Sequence, residues 1–269
     1  MKSKKLFLSL VFSLIILNTI GPQVVRAFTI PDDIPFFQLE AQAEILKQYC
    51  VWIKTSPIKP NEDWTFGSGF IVVRPQIVYV ITCNHCVPRD TAVVSVNIEG
   101  GKREGVRGIV VARSPGKDAA VLVLEEPKGK TTLHGYGLSQ FDTADTKNTE
   151  LRDGAGVMIL GFPLNIGATE KGQGSLIPVT RIGIVAYHSP QSITFLIDGF
   201  ASSGNSGSPV ISAKTGKLLG MVTSFAQDLS QIQDEKGKLT TMPYNSGLAQ
   251  ALTAKQIADL IKLADKNLK

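Results

Sequence analysis

The feature that most restricts what this chain can fold into is a series of short runs rich in β-branched residues, broken by Pro, Gly, Asn and Asp. In the first half they fall at 49–53, 69–73, 77–81, 92–96, 108–111 and 119–124. A parallel α/β sheet needs helical crossovers between its strands, and the gaps here hold none. Six such strands therefore describe a small closed or sandwiched sheet. Residues 126–153 are polar and turn-rich and read as a connector. A second set follows at 156–160, 177–185, 193–197, 208–211 and 218–222, with 245–252 able to close it. The expectation is an all-β chain of two halves, 49–140 and 141–252, with the charged stretch 228–241 as a surface loop.

A helix is predicted on either side. Residues 37–48, at the end of a lead spanning 28–48, place Leu39, Ala43 and Leu46 at near-helical spacing. In the tail, 253–269, residues 254–267 put Ile257, Leu260, Ile261 and Ala264 on one face. Thr253 and Gln256 stand at capping-box spacing, and Lys262 and Lys266 complement the helix dipole near its end.

At the N-terminus, Lys2, Lys4 and Lys5 precede an apolar stretch over 6–20, and Val25-Arg26-Ala27 offers small residues where a signal peptidase reads. The layout predicts a secretory signal peptide over 1–27 and a periplasmic or secreted mature protein. An uncleaved anchor would need an apolar span of roughly 20 residues. Those 27 residues hold four bases and no acid, so the formal net charge of +5 falls to +1 without them. No other basic run is long enough to track a phosphate backbone, so nucleic acid is not an expected partner. Nor does a second apolar run reach membrane-spanning length, and no stable membrane insertion is expected once the signal is removed.

Three cysteines, Cys50, Cys83 and Cys86, cannot pair fully within one chain. Cys83-Asn84-His85-Cys86 has the look of a metal or redox motif, but zinc would need a fourth ligand and Cys50 alone is on offer. The plainer readings are a buried free thiol or one disulfide, and no metal or cofactor is expected.

Chemistry concentrates around Ser206, in Gly204-Asn205-Ser206-Gly207-Ser208-Pro209. Flanking glycines let the backbone turn sharply and can aim the amides of Gly204 and Ser206 at one spot, as acyl transfer requires; an ordinary Gly/Ser turn is the alternative. A serine nucleophile needs a base. Of the three histidines, His134 and His188 sit in loop-like surroundings, whereas His85 closes the apolar run 77–81. Asp118, set directly before the run 119–124, could steady the imidazole or simply cap a turn; Asp90 competes but lies close to His85 in sequence. No histidine follows Ser206, which excludes the order Ser, acid, His of the α/β-hydrolases.

With these pieces in place, the chain resembles the trypsin-like peptidase domain of the chymotrypsin clan, nearest the HtrA/Deg and glutamyl-endopeptidase branches, over about 48–261. The matching motifs are Gly67-Ser68-Gly69-Phe70-Ile71-Val72, Ile81-Thr82-Cys83-Asn84-His85-Cys86-Val87, Asp118-Ala119-Ala120-Val121-Leu122, Gly161-Phe162-Pro163, Gly204-Asn205-Ser206-Gly207-Ser208-Pro209-Val210 and Gly216-Lys217-Leu218-Leu219-Gly220-Met221-Val222. The resemblance implies two six-stranded antiparallel β-barrels, His85, Asp118 and Ser206 as the catalytic triad, and the amides of Gly204 and Ser206 as the oxyanion hole. It implies a polypeptide substrate held by Phe200, Ala201, Ser202 and Ser203, by Val222, Thr223, Ser224 and Phe225, and by Ser246-Gly247. By the same resemblance Phe200 takes the position that holds an acid in trypsin, which disfavours cleavage after Lys or Arg, and Val222 takes the position of the glutamyl endopeptidases' His, which leaves cleavage after Glu unsupported; an apolar residue before the scissile bond is the expectation. Asn205 stands where trypsin-type zymogens carry an activating Asp, so that switch is not expected. A PDZ domain, usual after the protease in HtrA proteins, is not expected here, and oligomeric state is left open. The alternative function is a catalytically idle protease-like binding or chaperone module.

Overall fold

The computed structural model describes residues 36–57, 59, 63–97, 103–125, 133–144, 149–165, 168, 169, 176–233 and 239–268. The expected signal peptide lies outside them, and residues 39–269 form one unit. After helix α1 (Phe36–Lys47), six strands, β1 (Cys50–Thr55), β2 (Thr65–Arg74), β3 (Ile77–Thr82), β4 (Thr91–Asn97), β5 (Arg103–Ser114) and β6 (Ala119–Leu124), close into an antiparallel barrel in the order β1-β2-β3-β6-β5-β4. A second barrel follows from β7 (Gly156–Gly161), β10 (Val179–His188), β11 (Thr194–Asp198), β12 (Pro209–Ser212), β13 (Leu218–Gln233) and β14 (Leu239–Thr253), in the order β10-β11-β14-β13-β12-β7. Both barrels share one topology. A two-stranded ribbon, β8 (Ala168–Thr169) with β9 (Leu176–Ile177), is inserted in the second, and helix α2 (Ala254–Asn267) ends the chain.

Each strand that faces the other barrel is buried on both sides, and its sequence shows it. In β4, a strand remote from the other barrel, Ala92, Val94 and Val96 point inward while Val93 is exposed. In β3, Val80 fills the first barrel, whereas Tyr79 and Ile81 join a separate cluster with Met158 and Leu160 of β7 and Ile211 of β12. β6 behaves likewise, with Ala120 and Leu122 inside and Ala119 and Val121 in that seam. Two-sided burial removes the polar alternation, which is why 77–81 and 119–124 read as unbroken apolar runs.

α2 closes the seam from outside. Its residues Ile257, Leu260, Ile261 and Ala264 are buried in the seam cluster, against β5 and β6 of one barrel and β13 and β14 of the other. Tyr79 donates to Asp265 at 2.8 Å and Arg74 pairs with it at 3.3 Å, which fixes the far end of the helix to the first barrel. The expected capping box does not form. The Thr253 side chain makes no capping bond because Thr253 still belongs to β14, and Gln256 Oε1 instead accepts from Lys117 at 2.6 Å. The stretch 228–241 also departs from the loop expectation: 227–233 pair with 239–245, carrying β13 and β14 beyond the barrel as a hairpin. Its Thr, Ser and Gln residues satisfy a backbone ladder without needing a core, so hydrophobic patterning gave no strand signal.

Because α2 is packed across both barrels, Ile261→Ala should lower the free energy of unfolding by about 2–5 kcal/mol in a denaturant titration. A loss under about 1 kcal/mol would mean that the helix is an independent appendage.

Candidate active site

His85 is placed by the end of β3. The chain leaves the barrel at Thr82, extends through Cys83 and tightens into a 3₁₀ turn at Asn84–Cys86, closed by the Cys86 amide donating to the Cys83 carbonyl at 3.1 Å. Arg113 of β5 pins the turn, donating to Asn84 Oδ1 at 3.0 Å and to the Val87 carbonyl at 2.7 Å. Asp118 lies between a second 3₁₀ turn, Pro115–Lys117, and β6, with φ 49° and ψ 50°. Left-handed backbone is uncommon for a residue with a side chain, though Asp tolerates it better than most, and such conformations collect at functional sites.

That backbone lets one carboxylate grip His85 at two points. Asp118 Oδ1 accepts the His85 backbone amide at 3.0 Å, and Oδ2 lies 2.7 Å from ring Nδ1. A carboxylate only accepts, so Nδ1 carries a proton, and in the neutral ring Nε2 keeps its lone pair for another group. The Asp118 bond, seconded by the Cys86 sulfur, raises the His85 pKa above its ordinary value of 6.5, while burial opposes the shift. The competitor Asp90 is exposed and pairs with Arg113 at 3.2 Å. Among the described residues, His85 is the histidine paired with a carboxylate; His134 is exposed, and His188 ends β10 with its amide on Asp153 at 2.8 Å.

Ser206 comes from the turn between β11 and β12, where Gly204 has φ 90° and Gly207 φ 89°. A side chain at Gly207 would be strained by that φ and would place its Cβ 1.9 Å from the Ser68 carbonyl. Buried Asn205 braces the turn by accepting the Ser202 amide on Oδ1 at 3.2 Å. Ser68 of β2 then fastens it to the first barrel. Its amide donates to the Ser206 carbonyl at 2.8 Å, and its hydroxyl donates to the Gly204 carbonyl at 2.6 Å while accepting the Phe162 amide at 2.9 Å. Thr82, which leads into the His85 turn, donates to the Ser68 carbonyl at 2.7 Å. One buried serine is thus bonded to the Ser206 turn and to the strand end that leads into the His85 turn.

Among the described residues the amides of Gly204 and Ser206 donate to no protein acceptor, and the Ser203 carbonyl is taken up by the Leu164 amide at 2.5 Å. Two unengaged amides, two residues apart in one turn, are available to a developing oxyanion. The Ser206 hydroxyl likewise makes no hydrogen bond among the described residues, a link that often tightens only with substrate.

The expected pocket segments also meet. The Gly199 amide donates to the Gly247 carbonyl at 2.9 Å, and the Asn245 side-chain Nδ2 donates to the Ala201 carbonyl, which joins 199–201 to 245–247. Ala201, Ser202, Val222 and Thr223 are buried, Ser203 and Ser224 exposed, and Phe225 half-buried. Phe200 stands at the surface with the Arg181 guanidinium 4.8 Å from its ring centre. Asp198, at the end of β11, is exposed.

The three cysteines are buried and stand outside any disulfide. Donor atoms of Cys83, His85 and Cys86 lie within 4.8 Å of one another, but Cys50 is not in that group and donates to the Leu46 and Leu160 carbonyls, both at 3.6 Å. A four-ligand zinc set from these residues is therefore not assembled. Sequence reasoning gave no role to Ser68 or Arg113. The small-residue run Gly67-Ser68-Gly69 within a strand was a signal for the first; the second had none.

Two closed six-stranded barrels, with a carboxylate-bound histidine on one and a glycine-flanked serine turn on the other, define the chymotrypsin-like class of two-barrel folds. The trypsin-like peptidase domain model matches residues 67–221, and the chain belongs to that family. The chain is similar to the peroxisomal leader peptide-processing proteases of Mus musculus, at 28% identity over 167 residues, and Homo sapiens, at 26% over 166. Each match covers 61% of this chain and 26% of the relative, so the chain spans about a quarter of their length. Among solved structures, a serine endoprotease from Yersinia pestis superimposes with a TM-score of 0.56 at 17% identity, covering 88% of this chain and 68% of that one. The HtrA-type protease AlgW with tripeptide gives 0.56 at 17%, covering 83% and 62%. At that identity these two establish the fold.

Two outcomes follow from the geometry. Ser68→Ala strips the Gly204 carbonyl and Phe162 amide of a buried partner and should cost about 1–3 kcal/mol of stability, read by denaturant titration. Asp118 favours protonated His85, so the pair stabilises the fold fully below about pH 6.5, and this contribution is lost as pH rises through the raised folded value. Asp118→Asn should therefore move the His85 titration, followed by NMR, to lower pH; an unmoved titration would show that the carboxylate does not hold the ring.

Proposed function

We propose that the chain is an exported serine endopeptidase. The observation that carries this reading is the two-point grip of Asp118 on His85, on a turn that follows Thr82, which Ser68 links to the turn presenting Ser206. His85 Nε2 takes the proton of Ser206 as its oxygen attacks a peptide carbonyl, and Asp118 stabilises the imidazolium. The Gly204 and Ser206 amides receive the oxyanion, His85 returns the proton to the leaving amine, and water releases the acyl group from Ser206. This chemistry asks for no metal or cofactor.

Membership of a peptidase family supports a polypeptide substrate. Ala201 and Val222 are buried and apolar, and 200–203 and 222–225 contain no charged side chain, which supports an apolar residue before the scissile bond. Export rests on the leader at 1–27. Substrates of the relatives are not transferred, given the fraction of their length that is matched.

Purified protein should react with a fluorophosphonate probe at Ser206, while Ser206→Ala and His85→Ala should not. Ser206→Ala should lower turnover on a peptide library by on the order of 10⁴ to 10⁶. A folded wild type that never labels would favour the idle binding module, and an unchanged rate in Ser206→Ala would identify another nucleophile.

A further inference from the structure

The thiols that flank His85 take no part in that reaction, yet both reach across the seam. Cys83 donates to the Val222 carbonyl at 3.2 Å, and Cys86 to the Ser206 carbonyl at 3.7 Å. Val222 is also the acceptor of the Gly207 amide at 2.8 Å. The first barrel thus presents two S–H donors, one on either side of the candidate base, to the segments that frame the candidate nucleophile.

We propose that Cys83 and Cys86 form a redox modification site, in which a low-molecular-weight disulfide oxidises them to a disulfide spanning the His85 turn and lowers peptidase activity. The activity half rests on the function proposed above; the site itself rests on geometry. The turn is closed by a bond from the amide of Cys86 to the carbonyl of Cys83, three residues earlier, at 3.1 Å. Such turns keep their end Cα atoms within about 7 Å, overlapping the roughly 4.4–6.8 Å that disulfides bridge. The two sulfurs already lie within 4.8 Å, so rotation of the side chains is the main movement required. Cys50 is not part of that cluster.

The environment also divides the roles. Cys86 is the more acidic thiol, favoured by the bond from Cys83 and, less strongly, by the His85 ring, whereas burial raises the pKa of Cys83. With oxidised glutathione, the Cys86 thiolate attacks one sulfur, breaking the reagent's S–S bond and releasing one glutathione thiolate. Cys83 then loses its proton and attacks the Cys86 sulfur, forming the protein disulfide and releasing the second. The protein gives up two electrons and two protons, and the reagent becomes two thiols. Both protein sulfurs are covered in the reduced state, so access sets the rate. A disulfide has no S–H, and both bonds across the seam are lost on oxidation.

The test compares full-length protein before and after prolonged incubation with oxidised glutathione. The expected result is a mass loss of two hydrogens with no glutathione adduct, a cross-linked peptide containing Cys83 and Cys86, and Cys50 still open to alkylation after denaturation. Fluorophosphonate labelling should slow about tenfold, the size expected for losing two weak hydrogen bonds together, and recover with dithiothreitol. Cys86→Ala should not respond to the reagent, Cys83→Ala should stop at a single glutathione adduct on Cys86 with no protein disulfide, and Cys50→Ala should respond like wild type. An unchanged mass, a link involving Cys50, or an oxidised form that labels at the reduced rate would overturn the proposal. A reduced wild type that never labels refutes the peptidase reading instead, and mass alone then decides whether the disulfide site exists.

Discussion

The structure turns on one buried serine. Ser68 donates its amide to Ser206 and its hydroxyl to Gly204, accepts the Phe162 amide, and receives the Thr82 hydroxyl on its carbonyl. Three of these bonds join elements that are distant in sequence, and in a dry seam each is costly to leave unmade. The strand end that leads into the His85 turn and the turn holding Ser206 are thereby tied to one residue. Glycines clear the space this needs: at both Gly67 and Gly207 a Cβ would collide with the seam.

Around this suture the seam cluster supplies the adhesion. Tyr79, Ile81 and Val121 from one barrel meet Met158, Leu160 and Ile211 from the other, and α2 lays Ile257, Leu260 and Ile261 over the join. The polar site sits at the margin of this apolar contact, where the His85 side chain is about half exposed. Solvent therefore screens its pair with Asp118, whose main effect is to fix the orientation and tautomer of the ring. The left-handed backbone of Asp118 belongs to the same economy, a local strain held by the strands on either side.

Much of this was legible in the sequence. The strand runs were visible because β-branched residues cluster where a pleated surface is buried, and the two-sided burial of β3 and β6 left unbroken apolar runs. The candidate residues His85, Asp118 and Ser206 could be nominated from their positions at strand ends and between glycines. Other features were not legible. The polar β13 and β14 hairpin lacks hydrophobic alternation, Thr253 and Gln256 had the spacing of a cap but different partners, and Arg113 braces the His85 turn with no motif around it.

The sequence by itself determined which residue types stand at strand ends and turns, and hence the all-β class and the chemistry on offer, because propensity, burial pattern and glycine are local properties of the chain. Only the tertiary structure decided what those residues meet. It chose Asp118 over Asp90 as the partner of His85, gave Ser68 its place at the join, grouped Cys83 with Cys86 and left Cys50 aside. Each of these depends on how two closed barrels dock, and docking is fixed by packing between segments that may be more than a hundred residues apart, a distance over which no spacing rule applies.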